Sequence, residues 1–348
     1  MHIPKSIAIR SSYSHHSANA GYKQILKYTK PSAIIGLDEN GSANSKFLRN
    51  KYMWLYEWDA YQIYKQNKVD ILHILYAEEY YRFAWRMFKC PIVATFHQPP
   101  NLLQTEITTG ANMGRVGAIT HQLNKQRFGK LAAAIVTTQS QKDVLQQVIN
   151  PQKIHVIPLG VDIQSISKFY ETTSNALNNY QIITVGNWKR DWNFYFSFVE
   201  YCLHKHPNYK FILINRKFTN EQLLQIKNLP NIVYLPNASD AEMYTLYKNS
   251  YLQFLPFEGA AGNNSLNEGI ALGCPVVSNV VPEFLENVNE YLFYTPLINE
   301  SVANILQAVF EMSLQQRITI ATIARNAALK LDWAETARKT IEIYNSVV

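Results

Sequence analysis

The residues from Phe254 to Val277 hold the side chains best suited to binding chemistry. An apolar run, Phe254-Leu255-Pro256-Phe257, ends at Glu258-Gly259; Gly262, Asn263, Asn264 and Ser265 follow; Glu268 then precedes Gly273-Cys274-Pro275-Val276-Val277. This order predicts a strand, a glycine-rich turn, a helix opened by Asn263 to Ser265 and closed at Gly273, and a new strand from Pro275. Free amide N–H groups at such a helix start, with the helix dipole behind them, attract a phosphate. Glu268 lies about one turn inside, where a carboxylate can accept hydrogen bonds from the vicinal hydroxyls of a ribose. An ordinary capped helix with a solvated glutamate has the same spacing, so the residues alone leave both readings open.

Other reactive side chains are scattered. Lys189 and Arg190 are adjacent cations just after the apolar run Ile182 to Val185, and His97 follows the run Pro91 to Phe96. A lone histidine at a strand end is most often a structural hydrogen bonder. His15-His16 and His204/His206 lack a carboxylate pair or third histidine at ligand spacing, and neighbouring side chains point different ways, so no metal site is expected. Cys90, Cys202 and Cys274 are far apart with no C-x-x-C spacing, which argues against disulfides and for a reducing compartment.

The elements that must position these groups alternate along the chain. Short β-branched runs at Ser6 to Arg10, Ala33 to Gly36, Val69 to Leu75, Pro91 to Phe96, Ala133 to Thr137 and Ile154 to Pro158 are separated by helical patterns at Tyr52 to Gln66, Glu78 to Phe88 and Gln141 to Ile149. That alternation predicts parallel βαβ units. A polar stretch from Gln164 to Asn179 reads as a linker. Strands then resume at Ile182 to Val185, Phe211 to Ile214, Ile232 to Leu235, Leu252 to Leu255 and Pro275 to Ser278, with helices at Phe194 to Lys205, Glu221 to Lys227 and Ala241 to Tyr247, the last opened by the capping box Ser239 to Glu242. The expected fold class is α/β, with two tandem Rossmann-like domains facing a cleft, residues 1–165 and 166–332. Ligands of such sheets bind beyond the carboxyl ends of the strands.

The chain has 348 residues, 47% hydrophobic and 17% charged, enough for two cores and unlike a disordered chain. Its net charge of +7 is uneven: residues 1–168 carry 20 basic and 10 acidic side chains, residues 169–348 carry 13 and 16. A basic half suits an anionic membrane or an anionic substrate, or serves solubility alone. Neither a secretory h-region nor 18 consecutive apolar residues are present, so a cytoplasmic location is expected.

The segment Glu258-Gly259 with Glu268-Gly269-Ile270-Ala271-Leu272-Gly273-Cys274-Pro275-Val276-Val277 resembles the nucleotide-sugar site of retaining glycosyltransferases of the GT-B fold, glycosyltransferase family four, whose pattern is E-G-x-G followed by E-A-x-A-x-G-x-P-V. Val156-Ile157-Pro158-Leu159-Gly160-Val161-Asp162 is similar to that family's domain junction, and Ile183-Thr184-Val185-Gly186 to the opening of its second domain. Ser239-Asp240, Val69 to His73 and Thr95-Phe96-His97 also fit, so the resemblance spans Val69 to Val277. It implies that Glu268 holds the ribose, that His97 is an active-site histidine near the donor sugar, and that Gly21 lets the backbone approach the donor phosphates. Two departures stand out. In the family seven residues separate the two glutamates, whereas nine lie between Glu258 and Glu268. The resemblance puts Glu258 on the transferred sugar, and with this spacing Gly262, Asn263, Asn264 and Ser265 are the alternative, supplying amide and hydroxyl contacts to sugar or phosphate instead. The cations after Gly186 also come at a different offset; Arg190, ahead of Lys189, is expected on the diphosphate, bidentately.

The resemblance implies a metal-independent, retaining hexosyltransferase that uses a UDP or GDP sugar as co-substrate and needs no cofactor. A glycan or lipid-linked acceptor follows, in polysaccharide or glycolipid assembly, with an anionic membrane surface as a further partner. The sequence contains no Asp-x-Asp motif of the metal-dependent class, and no RNA-binding aromatic signature, so nucleic acid is not an expected partner. In GT-B proteins a C-terminal helix commonly returns to the first domain, and residues 333–348 are assigned to it. The alternatives are a UDP-sugar 2-epimerase of the same fold and a non-catalytic basic membrane- or nucleic-acid-binding protein.

Overall fold

The computed structural model describes residues 2–11, 21–36, 53–108, 114–170, 180–259, 261–279 and 290–348. Two compact units divide the chain: Met1–Leu159 with Trp333–Val348, and Gly160–Asp332.

The first unit is built on a parallel sheet of β1 (Ser6–Ile9), β2 (Ala33–Ile35), β3 (Ile71–Ile74), β4 (Ile92–Thr95), β5 (Ala133–Val136) and β6 (Ile154–Val156), in the order β2-β1-β3-β4-β5-β6. Strands β1, β3, β4 and β5 are buried along their whole length, as near-continuous apolar runs covered on both faces should be. The last helix, Trp333–Val347, belongs to this unit. Its Trp333 and Ala337 enter one core with Tyr22 and Phe96, while Ile341, Ile343 and Tyr344 pack on Ile71, Val93, Ala133 and Ile135.

The second unit repeats the plan with β7 (Gln181–Val185), β8 (Lys210–Ile214), β9 (Ile232–Tyr234), β10 (Leu252–Leu255), β11 (Val276–Ser278) and β12 (Leu292–Tyr294), in the order β12-β11-β10-β7-β8-β9, all parallel. Counted within the unit, this is the doubly wound Rossmann order. The capping box at Ser239 forms as expected: Ser239 Oγ accepts from Glu242 N, and the Glu242 carboxylate accepts from Ser239 N at 2.8 Å.

Three sequence expectations are corrected. The boundary expected at 165/166 falls inside the helix Ile163–Ser167; the units divide at Leu159/Gly160, because Asp162 caps that helix and Val161 bridges Asp332 within the second unit. The helix expected from Glu78 to Phe88 is two short ones, Ala77–Tyr80 and Ala84–Met87. The buried Glu57 carboxylate breaks the run by accepting the backbone N–H groups of Arg82, Phe83 and Ala84 at 2.8–2.9 Å. Strand β12 was not expected, since a three-residue, partly exposed edge strand carries little hydrophobic signal. Among the described residues no helix is long and apolar enough to cross a membrane.

Candidate functional site

Each sheet reverses its strand order once, and the crevice at such a reversal is where α/β proteins place ligands. In the second unit the reversal lies between β7 and β10, so the segments after those two strands, Gly186 to Asp191 and Pro256 to Asn263, flank it. They are fastened together: Arg190 bridges Phe257, Glu258 N donates to Lys189 O at 3.0 Å, and Asp191 N donates to Pro256 O at 3.1 Å. Gly186 (φ +86°) and Lys189 (φ +54°) both take left-handed backbone, strained for the lysine.

The helix Asn264–Ala271 begins at this point. Asn263 caps it, its Oδ1 accepting from Leu266 N at 3.1 Å and from Ser265 Oγ at 2.6 Å. The cap takes only one first-turn amide, so those of Asn264 and Ser265 remain available to an outside acceptor. Arg190, expected on a diphosphate, is instead turned inward and is 3% exposed. Its Nη2 donates to Val185 O at 2.8 Å, Ser265 Oγ at 2.7 Å and Asn263 Oδ1 at 3.4 Å, and its guanidinium covers the Phe257 ring at 4.3 Å. Burial lowers its pKa to about 10, so it stays charged at neutral pH. No described carboxylate pairs with it, and its Nε has no acceptor. Lys189, partly exposed, is the cation that faces outward beside it, with Nζ 5.9 Å from the Trp188 ring.

Glu268 is 6% exposed, and its carboxyl receives no hydrogen bond from any described residue. Burial, with a smaller contribution from Asp240, raises its pKa to about 8. Beneath it the polar groups interlock: buried Gln253 donates from Nε2 to Tyr247 Oη at 3.0 Å and to Ser265 O at 2.9 Å. Gly269 stands where the family pattern has alanine, and the reason is local: a Cβ there would lie 2.3 Å from Gln253 Oε1. Glu258 is exposed, and Gly262 and Asn264 are partly exposed beside the cap.

In the first unit the reversal lies between β1 and β3. His97, just after β4, is locked in place. Its Nε2 donates to Leu75 O at 2.8 Å, and its ring packs against Tyr22 and Tyr76, with centroids 4.7 and 4.5 Å away. Because a carbonyl can only accept, the proton is on Nε2, which leaves Nδ1 as an acceptor. Burial lowers the His97 pKa to about 4, so the ring is neutral near pH 7. Gly21 (φ +87°) opens the turn that carries Tyr22, so it reaches His97 only through that ring. His15 and His16 lie outside the described residues.

Sequence reasoning missed Glu78 and Gln253. Glu78, buried, accepts the backbone N–H groups of His97 and Gln98, the latter at 2.7 Å, and burial raises its pKa to about 7. Its signal was the acidic pair Glu78-Glu79 right after a strand, which reads equally as a helix start. His73, which closes the motif Val69 to His73, is internal: Nδ1 pairs with Tyr344 Oη at 2.6 Å and Nε2 with Thr95 Oγ1 at 2.9 Å.

Residues 29–165 match the family described as Glycosyltransferase Family 4. No curated protein matches the sequence. Among solved structures the chain is similar to HepE of Anabaena in complex with UDP and glucose (15% identity, 99% of this chain and 100% of that one, TM-score 0.70). It is also similar to a glycosyltransferase from Rickettsia africae ESF-5 (18%, 99% and 98%, TM-score 0.70). A third is an alpha,alpha-trehalose-phosphate synthase (UDP-forming) from Burkholderia vietnamiensis (11%, 99% and 99%, TM-score 0.70). The fold shared with them, two parallel six-stranded sheets flanked by helices, is the GT-B fold. The chain as a whole thus has the GT-B fold, and its residues 29–165 match a glycosyltransferase family.

Proposed function

We propose that this protein moves a sugar from a nucleoside diphosphate sugar to an acceptor hydroxyl with retention at the anomeric carbon, using no metal ion or cofactor. The observation that carries the donor assignment is the head of the helix Asn264–Ala271. A buried guanidinium and a buried carboxyl, to which no described residue supplies a counter-charge or a donor, lie there beside open first-turn amides. Each defect is one that a nucleoside diphosphate repairs: phosphate oxygens answer the cation and the amides, and ribose hydroxyls answer the carboxyl. Asn264 and Ser265 then bind a phosphate through their amides, Lys189 meets it from outside, and Arg190 supports the loop and adds its charge from beneath. A UDP sugar is the favoured donor, ahead of GDP, in keeping with the UDP in the HepE structure.

Exposed Glu258 is suited to accept a hydroxyl proton of the sugar, and within the first unit His97 Nδ1, neutral and fixed, is an acceptor for a hydroxyl of its own. In the retaining step the bond from the anomeric carbon to the phosphate oxygen breaks, the acceptor oxygen bonds from the same face, and its proton passes to the departing phosphate. No protein nucleophile is needed. A glycan or lipid-linked acceptor at the cytoplasmic face of an anionic membrane accords with the basic surplus of residues 1–168.

Calorimetric titration with UDP and with uridine tests the assignment. Lys189→Ala should weaken UDP about tenfold, the worth of one charge-assisted contact, and leave uridine nearly unchanged. Equal loss for both, or none for either, contradicts it.

A further inference from the structure

The turn after β7 holds one side chain that the donor site does not use. Trp188 is 63% exposed, among the most exposed large apolar residues described. Everything around its ring is fastened. Asn187 Oδ1 accepts from Trp192 Nε1 at 2.9 Å and Asn215 Nδ2 at 3.3 Å; Trp188 O accepts from Arg190 Nη1 at 3.4 Å; Lys189 O accepts from Glu258 N. The left-handed Lys189 adds strain to a non-glycine position, which persists only where the surroundings impose it. The turn fixes where the indole starts, so only its two side-chain torsions are ordered when something covers it. Its N–H makes no hydrogen bond with any described residue.

The neighbours of the ring define what fits. The backbone bond between Glu258 and Lys189 joins exposed Glu258 to the turn that carries Trp188, Lys189 Nζ lies 5.9 Å from the ring, and Arg190, two residues on, reaches the helix start assigned to the diphosphate. A pyranose has an apolar face of C–H bonds, made slightly positive by the attached oxygens, and a rim of hydroxyls. The negative face of an indole meets the first, and the carboxylate accepts from the second.

We infer that Trp188, with Glu258, forms a pyranose subsite in which the indole stacks on the sugar's C–H face and fixes its orientation. This rests on the donor-site reading above. The ring is supplied either by the donor sugar or by the acceptor sugar, and the chemistry of the subsite is the same for both.

Titrations of wild type, Trp188→Ala and Trp188→Phe with UDP, with UDP-glucose, and with methyl α-glucoside in the presence of saturating UDP test the subsite. If the donor sugar occupies it, Trp188→Ala weakens UDP-glucose about five- to tenfold while UDP changes by less than about twofold. If the acceptor sugar does, the same loss is seen with methyl α-glucoside alone. In either case Trp188→Phe restores most of the affinity, because an aromatic face is retained. The subsite is overturned if Trp188→Ala leaves both sugars within about twofold of wild type, or weakens UDP as much as UDP-glucose. Failure of wild type to bind UDP at all overturns the donor reading, and the subsite with it.

Discussion

The polar centres of the two units are built on opposite terms. Around the ends of β3 and β4 in the first unit the ionisable groups are held by internal partners: His73 has partners on both nitrogens, His97 donates from Nε2 to Leu75, and Glu78 accepts two amides. Both histidines are neutral near pH 7 because burial lowers their pKa values to about 3 and about 4. At the head of the helix Asn264–Ala271 in the second unit, Arg190 is charged and Glu268 is buried, and among the described residues the one has no counter-charge and the other's carboxyl no donor. The first centre is a finished shape that needs no ligand. The second keeps a charged guanidinium and a carboxyl that burial holds largely protonated, both uncompensated among the described residues, a cost that a complementary ligand relieves. Binding free energy should therefore concentrate in the second unit, and positional precision in the first.

The largest effect expected from breaking the first centre is on stability. Glu78→Ala orphans the amides of His97 and Gln98 and should cost roughly 2–4 kcal/mol in urea unfolding. Glu78→Gln, which keeps an acceptor, should recover most of it. Loss of less than about 0.5 kcal/mol in the alanine variant would show that this loop is not held as described.

A smaller effect is expected beneath the second centre. Gly269→Ala, the family's own residue, forces Gln253 to move and should destabilise by about 1–3 kcal/mol. Gln253→Ser should suppress that penalty when combined with it, which a double-mutant cycle measures. Additive losses would mean that the two side chains do not compete for the same space.

The smallest effect is on pH dependence, and the two centres should differ in sign. The folded pKa of Glu268, about 8, lies above the ordinary carboxyl value of 4.5. Between these values the unfolded chain binds fewer protons, so this group lowers stability as pH rises. The folded pKa of His97, about 4, lies below the ordinary 6.5. The unfolded chain then binds more protons in that window, and this group raises stability as pH rises. Melting curves at a series of pH values should show that Glu268→Gln removes a decline toward pH 8, whereas His97→Gln removes a rise between about pH 4 and 6.5. The opposite assignment of slopes would break the comparison.

Much of this was legible in the sequence. Eleven of the twelve strands were read within a few residues, because fully buried parallel strands are short unbroken apolar runs. The helix start at Asn263 followed from a local pattern of strand, glycine turn and cap, whereas the burial of Glu268 did not, because a solvated glutamate has the same spacing. What was not legible depended on contacts distant in sequence. The inward turn of Arg190 is set by Ser265, 75 residues away, and the role of Glu78 by the amides of His97 and Gln98, about 20 residues on. The split of the helix at Tyr81 to Phe83 depends on Glu57 in the same way. Spacing along the chain carries periodicity and caps, but not the partner that a polar side chain finds across the fold.

The central claim is that the head of the helix Asn264–Ala271 is a nucleoside diphosphate site held by Glu268. Thermal unfolding of wild type and Glu268→Ala with UDP tests it directly, with GDP, ADP and TDP as parallel ligands. UDP at about 100 times its dissociation constant should stabilise the wild type by about 2.7 kcal/mol. The same concentration should leave Glu268→Ala almost unmoved. A wild type that none of the four nucleotides stabilises, or a variant stabilised as much as the wild type, would contradict the account.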